Sequence, residues 1–322
     1  MKKKIIVICN GNEVAGFGHL SRCLNIIENF NAHYSGYLFS FLGLYSEDAL
    51  LMIERCSTDY KIEIKLISDI DDSCLLIDDY LMTQEALDAL TNNNKVLIVD
   101  DFNLLNYKDC SLVINFRSQA DSYKYNAKNL ALGIEFFPAP LSFIDIKKHQ
   151  IKKTLTEIEN ILVFIGGNDQ NNIGLKVSKR LAKIFPGAVI NFVSRLEINT
   201  KEIEFDNIKV YCVQPVLDSL LLDADIVVSG GGLLKYESIY CAIPNYAINQ
   251  THEQELDTNI LESQGLTIDL GMSESYSNGV DRIAKDFKNF PKIDKIKQRL
   301  ALGIPENSGQ KLSNKIDIAI NE

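Results

Sequence analysis

The chain has 322 residues, of which 46% are hydrophobic and 24% charged, and its formal net charge is −10. This composition is typical of a soluble globular protein, and the acidic charge argues against a nucleic-acid surface, since such surfaces are basic. No apolar stretch has the length of a membrane span. We therefore expect a cytoplasmic protein with neither nucleic acid nor a membrane as a partner.

The length suggests two domains of roughly 150 residues each. Seven cysteines are scattered without a C-x-x-C pair, which indicates reduced thiols and not a disulfide framework or a zinc site. The four histidines are also far apart in the sequence. We therefore expect no resident metal ion and no cofactor.

The first half alternates short apolar runs with amphipathic patterns, which predicts buried parallel strands connected by helices. The predicted strands are residues 5–8, 36–41, 62–67, 74–77, 96–99 and 112–114. The first predicted helix starts near residue 20, and two more cover residues 47–55 and 83–90. The pattern is that of an open α/β sheet, in which ligands bind at the carboxyl ends of the strands.

Residues 16–22, with the sequence GFGHLSR, connect the first predicted strand to the first predicted helix. Gly16 and Gly18 tolerate positive φ and allow a ligand to approach the backbone, and the neutral imidazole of His19 can take a proton near pH 7. The loop is therefore a candidate site of catalysis. The alternative, and the simpler interpretation of this motif taken alone, is a histidine that caps the helix beside a flexible turn.

Three further polar segments come directly after predicted strands of the first half. They are Asp78, Asp79 and Tyr80, then Asp100 and Asp101, then Asn115. Because successive parallel strands release the chain at the same edge of a sheet, we expect these side chains to lie along the edge that carries His19.

A change of pattern marks the middle of the chain. Residues 132–143 are irregular and contain Pro138 and Pro140, and residues 144–159 are strongly charged. We interpret this segment as a solvated connector and place the boundary near residue 150. The predicted domains are residues 1–150, which carry the histidine loop, and residues 151–322.

The second half repeats the alternation of strands and helices. The predicted strands are residues 161–165, 189–193, 210–213, 225–228 and 244–248, and the predicted helices are residues 173–185, 216–222, 233–241 and 256–264, followed by a helical tail after residue 271. Two such halves imply two doubly wound sheets that face each other across a cleft.

A second glycine-rich turn, formed by Gly230, Gly231 and Gly232, lies between a predicted strand and a helix. Backbone N–H groups at the positive end of that helix suit a pyrophosphate. Glu237, five residues further on, can accept hydrogen bonds from ribose hydroxyls, and the amide of Gln250 can bind phosphate or sugar. The alternative is that the glycines only permit close packing and that both side chains are solvated.

The GFGHLSR loop resembles that of the UDP-2,4-diacetamido-2,4,6-trideoxy-β-L-altropyranose hydrolases of pseudaminic acid synthesis, which are related to the GT-B glycosyltransferases. The resemblance continues in the same order over roughly residues 4–270. The other matching segments are LIDDY at 76–80, VDD at 99–101, IN at 114–115, GGND at 166–169, Asn172, Glu237 and NQ at 249–250.

The resemblance implies a GT-B fold of two Rossmann-type domains, with UDP bound mainly by the second domain. It implies that His19 acts as a general base on water, which attacks the anomeric carbon of a UDP-sugar with inversion, and that no metal is required. The residues implied to bind the nucleotide are Gly230, Gly231, Gly232, Glu237, Asn249 and Gln250. Those implied to bind the sugar are Gly16, Gly18, Arg22, Asp79, Tyr80, Asp101, Asn115, Gly167, Asn168 and Asp169.

The sequence departs from this family at Asp79, where the family commonly has a histidine, and near Pro140, where it has an arginine. The loop before Gly16, residues 9–13, also lacks the family's usual basic and acidic start. These positions are expected to touch the sugar, so its identity stays open. A glycosyltransferase would use His19 to activate an acceptor hydroxyl in place of water. A protein that binds the nucleotide sugar without catalysis is a third alternative.

Overall fold

The computed structural model describes residues 3–56, 60–62, 70–167, 169, 171–195, 198, 203–212, 217–287 and 290–322. The chain forms two compact units. Unit 1 comprises Met1–Leu141 and Glu306–Glu322, and unit 2 comprises Ser142–Pro305.

The described strands and helices alternate along most of the chain. The strands are β1 (Lys3–Cys9), β2 (Tyr37–Leu42), β3 (Tyr60–Ile62), β4 (Cys74–Asp78), β5 (Lys95–Val99), β6 (Leu112–Asn115), β7 (Asn129–Leu132), β8 (Asn160–Phe164), β9 (Val189–Ser194), β10 (Ile208–Cys212), β11 (Ile226–Gly230), β12 (Asn245–Asn249) and β13 (Ile268–Met272). The helices are α1 (Gly18–His33), α2 (Glu47–Cys56), α3 (Gln84–Thr91), α4 (Phe143–Lys152), α5 (Ile173–Ile184), α6 (Leu217–Asp223), α7 (Leu233–Tyr240), α8 (His252–Ser263), α9 (Ser277–Asp286), α10 (Phe290–Ala301) and α11 (Ser308–Asn321).

Each unit contains one parallel sheet built from these strands. The sheet of unit 1 has the order β3-β2-β1-β4-β5-β6-β7, and that of unit 2 has the order β10-β9-β8-β11-β12-β13. The strand order reverses direction between β1 and β4 in unit 1 and between β8 and β11 in unit 2. Such a reversal is the topological switch point at which open α/β sheets bind ligands.

The apolar runs form strands because helices cover both faces of a parallel sheet. Residues 5–9 of β1 are all buried, and α1 buries Leu20, Leu24 and Ile27. The prediction of two doubly wound sheets is confirmed. None of the described helices is long and apolar enough to span a bilayer.

Several elements differ from the predictions. β7 and β13 were not predicted, because their residues are only partly buried and lack a continuous apolar run. α8 begins at His252, four residues before the predicted start. The third predicted strand covered residues 62–67, of which residues 63–67 lie outside the described residues.

The boundary between the units also differs from the predicted one near residue 150. The charged segment that we interpreted as a connector forms α4, which has a buried face. Lys147 Nζ donates to the carbonyl of Ile304 at 2.7 Å, and Gln150 Nε2 donates to the carbonyl of Ala224 at 2.9 Å. These contacts join α4 to unit 2, so the boundary falls between residues 141 and 142.

The last helix, α11, belongs to unit 1 and not to the second half of the chain. It packs against α1 and buries Leu312, Ile316 and Ile320. The Ser308 hydroxyl donates to the carbonyl of Phe137 at 2.8 Å. Residues 306–322 therefore complete the first unit.

We predict that Gly309→Ala lowers the free energy of unfolding by about 1–3 kcal/mol, measured by urea denaturation. A Cβ atom at Gly309 would lie 1.8 Å from Oδ1 of Asn29, whose side chain is buried and donates to the carbonyl of Ala139. Gly187→Ala is the matched control, because a Cβ atom there meets nothing within 4 Å. Equal stability of the two variants would contradict the packing of α11 on α1.

Candidate functional site

His19 lies in the first turn of α1, directly after the loop that follows β1. In this loop the Gly16 N–H donates to the carbonyl of Asn12 at 2.8 Å, and the Asn12 side chain accepts from the N–H groups of residues 14 and 15. Gly16 has a φ of +76°, a conformation that favours glycine. A Cβ atom at Gly16 or Gly18 would meet nothing within 4 Å, so the space beside this backbone is open.

His19 and Asp78 form a hydrogen-bonded pair at the switch point of unit 1. Nδ1 of His19 lies 2.6 Å from Oδ1 of Asp78, the last residue of β4. The Asp78 carboxylate is fully buried, whereas the His19 side chain is 16% exposed. Because a carboxylate only accepts hydrogen bonds, Nδ1 is the donor in this pair, and in a neutral ring the lone pair that can accept a proton would then be on Nε2.

Arg22 lies one turn further along α1 and is held by two carboxylates. Its Nε and Nη2 both donate to Asp78, and Nη2 reaches at 2.6 Å the same oxygen that accepts from His19. Its Nη1 donates to Oδ2 of Asp101 at 2.8 Å. Burial disfavours the charged guanidinium, but Asp101 and Asp78 outweigh burial and raise the pKa of Arg22. Burial also favours the neutral form of Asp101, but Arg22 and Arg117 hold its pKa below the ordinary value.

Tyr80 covers one side of the His19 ring. The two ring centroids are 4.3 Å apart with an interplanar angle of 84°, so the edge of one ring meets the face of the other. The Tyr80 hydroxyl donates to Oδ2 of Asp101, the oxygen that also accepts from Arg22. Tyr80 is 51% exposed, so its ring is accessible to a ligand while its hydroxyl is held by the protein.

The other residues predicted at this edge have different contacts. Asp79 Oδ1 accepts from the N–H of Leu81 at 2.9 Å and thereby closes the turn after β4. Asn115 is fully buried, and its side chain donates to the hydroxyl of Tyr125 at 2.9 Å. Tyr125 in turn donates to Asp100. Asn115 therefore belongs to a network beside β5 and β6, and no contact described for its side chain reaches His19.

The triple-glycine turn lies at the switch point of unit 2, between β11 and α7. A Cβ atom at Gly230 would lie 2.0 Å from the carbonyl oxygen of Ile165, and one at Gly231 would lie 2.6 Å from Cβ of Gln254. These two positions require glycine because the neighbouring chain approaches so closely. Gly232 is exposed, and no side-chain hydrogen bond caps the start of α7. The positive end of α7 can therefore accept an anionic ligand.

Glu237 lies on α7 and is only 8% exposed. Its carboxylate has no hydrogen-bond or ion-pair partner among the described residues. Burial, with a smaller effect of Asp218, raises the pKa of Glu237 to about 7. A buried carboxylate without donors is costly, so a ligand that supplies hydroxyl donors would relieve this cost.

A buried polar network lies behind the glycine turn. Lys235 Nζ donates to Oδ2 of Asp257 at 2.7 Å and to the hydroxyl of Thr258 at 2.9 Å. The Thr258 hydroxyl donates to Oδ1 of Asn249 at 2.7 Å, and Asn249 Nδ2 donates to Asp269 at 2.9 Å. The side chain of Asn249 is thus bound by the protein and connects the end of β12 to α8 and β13.

Gln250 lies in the loop between β12 and α8, and its residue is partly exposed. Its backbone N–H donates to Oε1 of Gln254 at 2.9 Å. The hydroxyl of Thr251 caps α8 by accepting from the Gln254 N–H. Gln254, which also contacts Gly231, therefore fixes the position of this loop beside the glycine turn.

The GGND segment follows β8, on the other side of the same switch point. Gly167 is exposed. Asp169 accepts from the N–H groups of Ile173 and Gly174, each at 2.8 Å, and so caps the start of α5. Asn168, which the resemblance implies in sugar binding, lies outside the described residues.

Sequence reasoning did not assign the contacts of three residues that organise these sites. Asp78 was recognised as half of an acidic pair, but the sequence does not tell which of two neighbouring carboxylates turns toward His19. Lys235 was assigned no role, because a lysine is rarely buried without a partner and its partner is 22 residues away. Gln254 was assigned no role.

No family model matches the sequence. The uncharacterized protein MJ1062 of Methanocaldococcus jannaschii is 25% identical over 278 residues, which cover 78% of this chain and 56% of that protein. The chain therefore spans about half the length of the curated relative that it matches.

Several solved structures share the fold of this chain over nearly its whole length, although their sequence identity to it is low. MurG of Acinetobacter baumannii is 10% identical with a TM-score of 0.64, over 99% of this chain and 100% of that chain. The spinosyn forosaminyltransferase SpnP is 10% identical with a TM-score of 0.63, over 100% of both chains. The chain has the GT-B fold.

Another structure of similar fold is the UDP-GlcNAc 2-epimerase of Neisseria meningitidis, solved with UDP-GlcNAc bound. It is 13% identical with a TM-score of 0.54, over 98% of this chain and 100% of that chain. At these identities, the similarity establishes the GT-B fold, and the chemistry must be argued from the residues.

We predict that Glu237→Gln stabilises the protein above pH 7 but not below pH 4.5. The Glu237 carboxyl has a pKa of about 7 when folded and 4.5 as its ordinary value, so the unfolded chain ionises first and stability is lost as pH rises between these values. The variant escapes this loss. We expect its free energy of unfolding at pH 8 to exceed that of the unmodified protein by about 2–3 kcal/mol.

The measurement is urea denaturation of both proteins at pH 4, 6 and 8. Glu255→Gln is the control, since Glu255 lies at the protein surface near His252. A difference between Glu237→Gln and the unmodified protein that is constant over this pH range would refute the raised pKa.

Proposed function

We propose that the chain is an inverting enzyme that transfers a glycosyl group from a UDP-sugar to an acceptor hydroxyl, with His19 as the general base. The Asp78–His19 pair at the switch point of unit 1 carries this proposal. A carboxylate that holds Nδ1 and leaves Nε2 free is the arrangement that general-base catalysis needs.

The proposed reaction is a single displacement. Nε2 of His19 takes the proton of the acceptor hydroxyl, the acceptor oxygen bonds to the anomeric carbon, and the bond from that carbon to the diphosphate oxygen breaks. The electron pair of the broken bond stays on UDP. The positive charge that forms on His19 is stabilised by Asp78, 2.6 Å from Nδ1.

Unit 2 is proposed to bind the UDP part of the donor. The uncapped start of α7 at Gly232 supplies N–H donors and a positive dipole for the diphosphate. Glu237 lies on the same helix, and as a buried acceptor without a protein donor it suits the ribose hydroxyls. Gln250 is proposed to bind from the adjacent loop, with Asn249 supporting that loop from behind.

The acceptor divides the proposal into two candidates. The first candidate, a glycosyltransferase, is supported by the spinosyn forosaminyltransferase SpnP, which has the same fold. The alternative is a hydrolase, in which water takes the acceptor's place. It is favoured by the GFGHLSR loop and its resemblance to hydrolases of a UDP-linked diacetamido sugar, which would connect the chain to pseudaminic acid or another surface polysaccharide.

The predicted sugar contacts other than Arg22 are part of the proposal. Tyr80 is the best placed of them, because its ring is half exposed beside His19. Asp169 and Asp79 already accept backbone hydrogen bonds, so a sugar would have to use their remaining lone pairs.

We test the proposal by incubating the protein with a panel of UDP-sugars in ¹⁸O-water, with and without sugar acceptors, and reading the products by mass spectrometry. Release of UDP that depends on an acceptor supports the transferase. Release of UDP with ¹⁸O on the free sugar identifies the hydrolase.

The corresponding variant is His19→Asn, which we expect to lower kcat about 10²- to 10⁴-fold while UDP binding is retained. His33→Asn is the matched control, because His33 is an exposed histidine in the last turn of the same helix. UDP binding without turnover in either the unmodified protein or the variant would contradict catalysis and support a binding protein.

A further inference from the structure

The resemblance assigns Arg22 to sugar binding, but its environment points to a different role. Arg22 is buried, and three of its nitrogen atoms already donate to carboxylates of the protein. Because its nitrogen atoms already donate to these carboxylates, the guanidinium has few N–H donors left to bind a substrate. Its contacts instead lie with the group that holds His19.

We infer that Arg22 is a positioning residue that opposes protonation of His19 by sharing the carboxylate of Asp78. This inference rests on the proposed function of His19 as a base. In this inference, the charges of Arg22 and Asp101 together determine how readily His19 takes a proton.

The geometry explains why sharing matters. Oδ1 of Asp78 accepts from both His19 Nδ1 and Arg22 Nη2, each at 2.6 Å. The guanidinium nitrogen is also 3.4 Å from Nδ1 of the imidazole. The positive charge of Arg22 at this distance repels a positive charge on the imidazole ring. It also offsets part of the negative charge of Asp78, which would otherwise stabilise a protonated ring. Both effects favour neutral His19.

Asp101 moderates this effect and connects it to Tyr80. Its Oδ2 accepts from Arg22 Nη1 at 2.8 Å and from the Tyr80 hydroxyl. Its Oδ1 is buried without a hydrogen-bond partner in the described part of the chain. Asp101 therefore competes with Asp78 for the positive charge of Arg22. Tyr80, which donates to Asp101, also packs against the His19 ring.

The charged and titratable groups around the pair come from several elements. They are Arg22 and Cys23 of α1, Asp78 at the end of β4, Tyr80 in the loop after β4, Asp101 after β5, and Arg117 through its charge on Asp101. Arg22 is the cation in hydrogen-bond contact with Asp78, so its removal should have the largest effect on His19.

The test follows the protonation of His19 directly, by NMR of the Cε1–H resonances, which are assigned with His19→Asn. In Arg22→Gln, the titration midpoint of His19 should rise by about one pH unit. Arg22→Lys keeps the charge and should restore most of the original midpoint. In Asp101→Asn the midpoint should fall, because Arg22 then acts on Asp78 alone.

Arg180→Gln is the matched control, since Arg180 forms a surface ion pair with Asp281 in unit 2 and should leave the midpoint unchanged. An unchanged or lower midpoint in Arg22→Gln would overturn the inference. If that variant does not fold, a midpoint in Asp101→Asn that does not fall would overturn it.

Activity supplies a second readout that separates this inference from the proposed function. If the protein turns over a UDP-sugar, the acid limb of its pH–rate profile should move to higher pH in Arg22→Gln by the same amount as the NMR midpoint. If no UDP-sugar is turned over, the proposed function fails, but the NMR titration still decides whether Arg22 controls the protonation of His19.

Discussion

The buried carboxylate of Asp78 is the interaction on which the candidate active site depends. It ends a central strand, is completely shielded from water, and accepts hydrogen bonds from both an imidazole and a guanidinium. A buried charge is tolerated only when it is paired and hydrogen-bonded, and Arg22 supplies that pairing. The carboxylate, paired in this way, can then orient His19. The fold creates the opportunity by bringing β1 and β4 together as neighbours.

The glycine turn of unit 2 is also supported by a buried ion pair. There a buried lysine–aspartate pair, Lys235 and Asp257, holds α7 to α8 behind the glycine turn. Both side chains are almost completely buried, so neither can lose its partner without leaving a charge in an apolar interior. The turn is thus rigidly supported, although its glycines have no side chains. Support of this kind favours binding because the loop does not have to be ordered by the ligand.

Much of the fold could be predicted from the sequence, because parallel strands covered on both faces read as short continuous apolar runs. The same principle explains the failures, since β7 and β13 are only partly buried and show no such run. α4 was misinterpreted because its charged residues suggested solvent, whereas Lys147 buries its stem and donates to a distant carbonyl. The candidate site was proposed from its glycines and histidine. The partners of that histidine could not be predicted, because which of two adjacent aspartates faces inward depends on strand register.

The assignment of α11 to unit 1 has a consequence for biosynthesis. Unit 1 is built from two stretches of sequence separated by the whole of unit 2, and the later stretch covers apolar surface of α1 and receives a hydrogen bond from Lys95 to the carbonyl of Ile320. While the chain emerges from the ribosome, the earlier stretch must wait with that surface uncovered until more than 300 residues have been translated. Until then the uncovered face of α1 favours aggregation, and we expect chaperones to engage it.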